Sequence, residues 1–156
     1  MIILSVLAFA LGVSPTVPPP KVEDLTSVFE RFCLETRADR AAFDAQISRA
    51  DGLEKVSAPL LPSGFEVHRR WKLGNIQLSF TDAPPPTPRM CAVTLGARGG
   101  FDGQAIATQI AKVGRTVLQQ SENNRWIGMM PSGETLLINN RQNPDGFGDV
   151  EIVLLP

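Results

Sequence analysis

Three side chains in this sequence have the chemistry of nucleophiles or metal ligands. They are Cys33, Cys91 and His68, the only cysteines and the only histidine of the chain. A cysteine nucleophile needs a base in hydrogen-bond contact, and a zinc ion needs three or four closely spaced ligands. The three residues are scattered, the carboxylates do not converge, and no G-x-S-x-G motif is present. We therefore predict no catalytic residue, no metal site and no cofactor.

The N-terminal segment is the strongest indication of where the protein resides. An uncharged apolar run over residues 1–12 is too short to span a bilayer but matches the apolar core of a signal peptide. Ala8 and Ala10, or Ala10 and Gly12, have the spacing that signal peptidase requires, and the second pair would place the cut before Val13, although no basic residue precedes the run. We predict a signal peptide over 1–12, a proline-rich leader over 13–21 and one domain over 22–156. A buried first strand is the alternative for residues 1–12.

The surroundings of the two cysteines favour a disulfide. Apolar residues around Cys33 recur with helical spacing, which places Cys33 on an inward stripe with Leu25, Val28, Phe29 and Phe32. Cys91 alternates with Val93 and Leu95, as on the inner face of a strand. Exported proteins retain disulfides, so we predict a Cys33–Cys91 bond between the first helix and the sheet. Two buried free thiols are the alternative.

The periodicity along the chain predicts an α+β fold with the order α-α-β-β-β-α-β-β-β. Hairpin-like connections predominate, which indicates a mainly antiparallel sheet of about six strands with helices packed on one face. Gly74-Asn75 is typical of a tight hairpin turn, and its register would pair Trp71 with Leu78. Because the last three strands are apolar on both faces, we expect them to be central or covered by helix.

Sequence signals also predict where the helices begin and end. Thr36 is the expected N-cap of the second helix, with Asp39 three residues inside it and Gly52 just past its end. Asp102 is the expected N-cap of the third helix. The apolar stripe of that helix is predicted to extend from Ile106 to Val117.

Four basic residues are the candidate contacts for a ligand or partner: His68, Arg69, Arg70 and Arg98. Strand alternation places His68 and Arg70 on the wet face and Arg69 on the core face. An inward arginine needs a carboxylate or carbonyl partner, or must extend past an edge. Arg98 lies in a glycine-rich turn between a strand and a helix, where phosphate loops occur, but the turn matches no phosphate-loop motif.

Composition narrows the class of protein. Apolar residues make up 43% of the 156 residues and charged residues 20%, which is typical of a soluble globular domain. The formal net charge of −1 argues against nucleic acid as a partner. The apolar N-terminal run indicates a periplasmic or secreted protein with no integral membrane span after processing.

The segment F-x-x-x-C-L at residues 29–34, together with a cysteine in mid-chain, resembles small exported bacterial proteins of unknown function. The similarity covers mainly residues 25–52 and implies export and a disulfide, but no activity. We expect a non-enzymatic accessory, inhibitor- or immunity-type domain that binds a protein or cell-envelope component. A small-ligand-binding protein or enzyme, with a pocket reached by Arg69 or Arg98, is one alternative. A purely structural envelope protein is the other.

Overall fold

The computed structural model describes residues 22–56, 68–82, 89–122 and 124–156. The predicted signal peptide and leader lie outside the described residues. The helical elements are α1 (Val22–Phe29), a π-helical turn that directly continues it (Glu30–Leu34), α2 (Arg40–Ser48) and α3 (Gly103–Gly114). The strands are β1 (Glu54–Val56), β2 (His68–Leu73), β3 (Ile76–Thr81), β4 (Met90–Arg98), β5 (Gln119–Ser121), β6 (Arg125–Met129), β7 (Thr135–Gln142) and β8 (Phe147–Leu155).

The strands form one antiparallel sheet in the order β1-β2-β3-β4-β8-β7-β6-β5. This confirms a mixed helix-and-sheet fold with an antiparallel sheet, but the sheet has eight strands and not about six. The two additional strands, β1 and β5, are three-residue edge strands. Such short strands carry too little alternation to be recognised, and β1 lies between the predicted second helix and the predicted hairpin, where the predicted order has no strand. Short edge strands limit unwanted pairing with other chains.

The predicted hairpin between β2 and β3 is present with the predicted register. Trp71 pairs with Leu78 and Leu73 with Ile76. Gly74 has a φ of 58°, which a type I′ turn requires and glycine adopts without strain. Strand β2 begins at His68, and the earlier part of the predicted strand lies outside the described residues.

The apolar stripe of the first helix is buried as predicted, but the start of the second helix is not where we expected it. Asp39 is the N-cap of α2, and its carboxylate accepts a hydrogen bond from the Ala42 backbone N–H. The Thr36 hydroxyl instead donates to the Phe32 carbonyl and closes the π-helical turn. Arg37 and Ala38 both have positive φ. The chain changes direction at these two residues before α2 begins. Helix α2 ends at Ser48, earlier than the Gly52 signal indicated.

Helix α3 begins as predicted and ends earlier than predicted. The Asp102 carboxylate accepts a hydrogen bond from the Ala105 backbone N–H, which confirms the N-cap. The helix stops at Gly114 because Arg115 adopts the left-handed conformation, with a φ of 49°. Val117 is therefore not part of the buried stripe, and 79% of it is exposed.

The helices pack on one face of the sheet, which forms the core. A row of apolar side chains crosses this face from β2 to β6: Trp71, Leu78, Val93, Ile152, Ile138 and Trp126. Helix α3 approaches this face so closely that a Cβ atom on Gly103 would collide with the Trp126 ring. No described helix covers the opposite face, and none is long and apolar enough to cross a membrane.

The expectation for the last three strands is correct for β8 and wrong for β6. Strand β8 lies at the centre of the sheet beside β4. Strand β6 is next to the edge, and its Ile127 and Met129 point to the face opposite the helices, where 45% and 72% of these residues are exposed. Apolar residues on both faces of a strand do not show whether anything covers the second face.

Candidate functional site

The two cysteines form the predicted disulfide. Cys33 in the π-helical turn is bonded to Cys91 in β4, with a Cα–Cα distance of 5.5 Å, and neither residue is exposed. The bond attaches the first helical segment to the core face of the sheet. Because both sulfur atoms are buried and bonded to each other, the oxidised chain has no thiol for catalysis or metal binding.

His68 lies on the face opposite the disulfide. It is exposed, and its Nδ1 atom is 2.9 Å from the hydroxyl oxygen of Thr81 on the neighbouring strand. Within the part of the chain that the structure describes, no three His, Cys, Asp or Glu side chains are placed to hold a metal ion.

Arg69 points toward the core, as strand alternation predicted, and contacts a carboxylate there. An Nη atom of Arg69 lies 2.5 Å from a carboxylate oxygen of Asp44 in α2, and the Arg69 side chain is 13% exposed. Its guanidinium also lies 5.2–5.8 Å from the ring centroids of Phe80, Trp71 and Phe43, distances typical of cation–π contacts. These contacts hold α2 against β2, so Arg69 has a structural role.

The four candidate contact residues do not form one site. His68 and Arg70 lie on the face opposite the helices, whereas Arg69 lies under α2. Arg98 is exposed at the end of β4, opposite Phe147 and about 23 Å along the strand from the disulfide at roughly 3.3 Å per residue. The cleft just beyond Arg98 has a volume of only about 80 Å³.

An ion pair that sequence reasoning did not identify joins the helical layer to the turn between β6 and β7. The Nε of Arg37 is 2.6 Å from a carboxylate oxygen of Glu134, which is 6% exposed. The hydrogen bond from Arg37 lowers the pKa of Glu134 to about 2, although burial acts in the opposite direction. The two residues are 97 positions apart, so no local pattern connects them.

Acid should weaken this attachment. The folded pKa of Glu134 is below the ordinary glutamate value, so its contribution to stability is complete above about pH 5 and declines as the pH falls toward about 2. Arg37 is 60% exposed, which reduces the effect through solvent screening. We expect Glu134→Gln to lose less stability than the wild type between about pH 6 and pH 3 in urea unfolding. The exposed Glu122→Gln variant is the control, and equal losses in all three proteins would contradict the prediction.

Three large apolar side chains, Val117, Ile127 and Met129, are exposed together at one corner of the sheet, and we refer to them as the apolar corner. Val117 is adjacent to β6 because its carbonyl oxygen occupies the space that a Cβ atom on Gly128 would need. The hydroxyl of Thr116 donates to the Met129 carbonyl at 2.7 Å and fixes the segment there.

Two open grooves flank Val117. One lies on the face opposite the helices and has a volume of about 310 Å³. The other, which we call the α3 groove, has a volume of about 290 Å³ and is lined by Gln104, Ala107, Thr108, Ala111, Thr116, Val117, Leu118 and Trp126. Trp126 is 3% exposed, and its indole N–H has no hydrogen-bond partner among the described residues.

Basic residues outnumber carboxylates in the segments that carry the corner, although Asp102, Glu122 and Glu134 directly flank these segments and the whole chain has a formal charge of −1. The segments 103–121 and 125–133 contain Lys112, Arg115 and Arg125 and no carboxylate. Arg125 donates to the side-chain oxygen of Asn139, whereas the side chains of Lys112 and Arg115 make no hydrogen bond or ion pair within the described chain. Two exposed cations at the C-terminal end of α3, within five residues of Val117 in the chain, are thus available to a partner.

The sequence reasoning missed the corner because it extended the third helix through Val117 and expected β6 to be covered. The fold defines a disulfide-linked α+β domain with helices on one face of its sheet and an exposed apolar corner. Comparison with protein-family models, with curated proteins and with solved structures finds no match to this chain. The surface of the molecule therefore provides the basis for a functional inference.

Proposed function

We propose that the chain is an exported, non-enzymatic domain that binds a protein partner through the apolar corner. The observation that carries this proposal is the joint exposure of Val117, Ile127 and Met129. Contiguous exposed apolar side chains rimmed by polar groups mark interaction sites on soluble proteins. The buried disulfide supports export, because such bonds persist in oxidising compartments. An accessory, inhibitor- or immunity-type role fits such a domain.

The small-ligand and enzyme alternatives have less support. They require a concave pocket in which several polar groups converge. Arg69 is already bound by Asp44 and three aromatic rings, and Arg98 lies at the end of β4 that is remote from the disulfide. The two grooves beside Val117 are open to solvent and bring few polar side chains together.

Site-specific photo-crosslinking in the organism of origin tests the proposal. A photoreactive amino acid at position 117 should capture one protein, whereas the same group at position 72, exposed on β2, should not. Added unlabelled oxidised protein should compete for the crosslink, and its Met129→Asp variant should compete poorly because it places a charge in the apolar corner. Identical crosslinks from both positions, or none from position 117 in folded protein, would refute the proposal.

A further inference from the structure

We infer that the α3 groove binds an extended segment of the partner protein in which an aliphatic side chain is flanked by carboxylates. The inference rests on the proposed function and specifies the chemistry of the partner at that surface. Three features of the groove carry it: its apolar floor, an unpartnered indole N–H and a rim of unpaired cations.

The floor of the groove suits an aliphatic side chain. Ala107 and Ala111 of α3 present only methyl groups on one side, and Leu118 and the Trp126 ring contribute apolar surface on the other. Small side chains on the helix leave space that a branched aliphatic group from a partner can occupy. Such a contact removes apolar surface of both molecules from water.

The Trp126 indole N–H requires a hydrogen-bond acceptor from the occupant of the groove. Buried indole N–H groups normally donate a hydrogen bond, since an unpaired buried donor is unfavourable. This donor has no partner among the described residues, although Trp126 is 3% exposed and lines the groove. The indole nitrogen is itself shielded from solvent in the free domain, so a main-chain carbonyl of a bound segment would accept this hydrogen bond once the Trp126 ring turns toward the groove.

The basic residues Lys112 and Arg115 at the rim of the groove favour a negatively charged occupant. Lys112 and Arg115 lie in the last turn and at the C-cap of α3, and the two segments that form the corner contain no carboxylate. Basic residues also suit a helix C-terminus, but the side chains of Lys112 and Arg115 are exposed and have no carboxylate partner among the described residues. Carboxylates on the partner would complement these cations and accelerate association.

The position of the groove favours an extended chain over other occupants. The segment that borders the groove leads directly into β5, the edge strand of the sheet, which offers main-chain groups on its outer side. A peptide can add to such an edge while its side chains enter the adjacent groove. A second copy of this chain would bring the same cations against the first, and a lipid surface would leave the edge strand unpaired.

Two short peptides provide the test. Acetylated and amidated Glu-Val-Leu-Val-Glu and Lys-Val-Leu-Val-Lys are titrated into the ¹⁵N-labelled oxidised protein, and NMR follows the indole N–H signals of its two tryptophans. The acidic peptide should shift the Trp126 signal, leave the Trp71 signal in place and bind on the order of tenfold more tightly than the basic peptide. The double variant Lys112→Glu/Arg115→Glu should reverse this preference, whereas Lys72→Glu on the opposite face should not.

Equal binding of the two peptides, or shifts confined to another surface, would overturn the inference. So would a shift of the Trp126 signal with phosphatidylglycerol vesicles and not with the acidic peptide, because a lipid surface would then be the occupant. If position 117 still crosslinks to one protein and the Lys112→Glu/Arg115→Glu variant leaves that crosslink unchanged, the inference fails and the proposed function stands. Absence of a specific crosslink from position 117, together with absence of acidic-peptide binding by the wild-type protein, would refute both.

Discussion

Replacement of Cys33 and Cys91 by alanine should lower the free energy of unfolding by about 4 kcal/mol in the loop-entropy description of disulfides. The bond joins residues 58 positions apart, so it restricts a long loop in the unfolded chain. It also anchors the π-helical turn to β4, and both half-cystines are fully buried. Most of the loss should therefore appear as a lower urea midpoint with an intact native fold.

Urea unfolding of the wild type with and without dithiothreitol, and of the Cys33→Ala/Cys91→Ala variant, measures this effect. Reductant should destabilise the wild type once its bond is reduced and should leave the double variant unchanged. The reduced wild type and the double variant should agree within about 1 kcal/mol, the difference reflecting the sulfur atoms that alanine removes. A double variant as stable as the oxidised wild type would contradict the prediction.

The disulfide was predictable because local periodicity decides which face each cysteine occupies. Helical spacing turned Cys33 inward with Phe29 and Phe32, and strand alternation did the same for Cys91. The β2–β3 register was predictable for a similar reason, since a two-residue turn fixes which residues pair. In both cases the determining interactions lie within a few residues of one another.

Features that depend on distant residues were not predictable. Alternation placed Arg69 on the core face, but only the docking of α2 determines that Asp44 is its partner. The end of α3 depends on the left-handed conformation of Arg115, a residue type that gives no local signal for it. The apolar corner follows from this early end, because Val117 then lies beside β6 and not on the helix.

Besides the Arg37–Glu134 ion pair, two sets of contacts attach different parts of the helical layer to the sheet. The disulfide holds the segment that contains the π-helical turn. Helix α2 is held by the ion pair between Asp44 and Arg69 and by another, at 3.2 Å, between Arg40 and Asp82. Exposed ion pairs contribute little to stability, so the apolar contacts of α2 must supply most of its attachment.

Phe43 supplies those contacts. It is the one fully buried side chain of α2, and its ring centroid lies 4.4 Å from that of Phe80 and 5.4 Å from that of Trp71. Phe43→Ala should therefore lower the free energy of unfolding by about 3–5 kcal/mol, the range for large-to-small changes at buried aromatic sites. It also removes one of the three rings beside the Arg69 guanidinium, so the ion pair with Asp44 should become less ordered.

Hydrogen exchange distinguishes local detachment of α2 from destabilisation of the whole domain. In Phe43→Ala the amides of α2 should exchange through local opening, while those of the π-helical turn stay protected because the disulfide holds that turn to β4. Ile47→Ala, at a half-buried position of the same helix, is the control and should cost about 1–2 kcal/mol because less apolar surface is removed. If Phe43→Ala and Ile47→Ala have the same effect, Phe43 is not the main attachment of α2. If the π-helical turn loses protection together with α2, the two attachments are not independent.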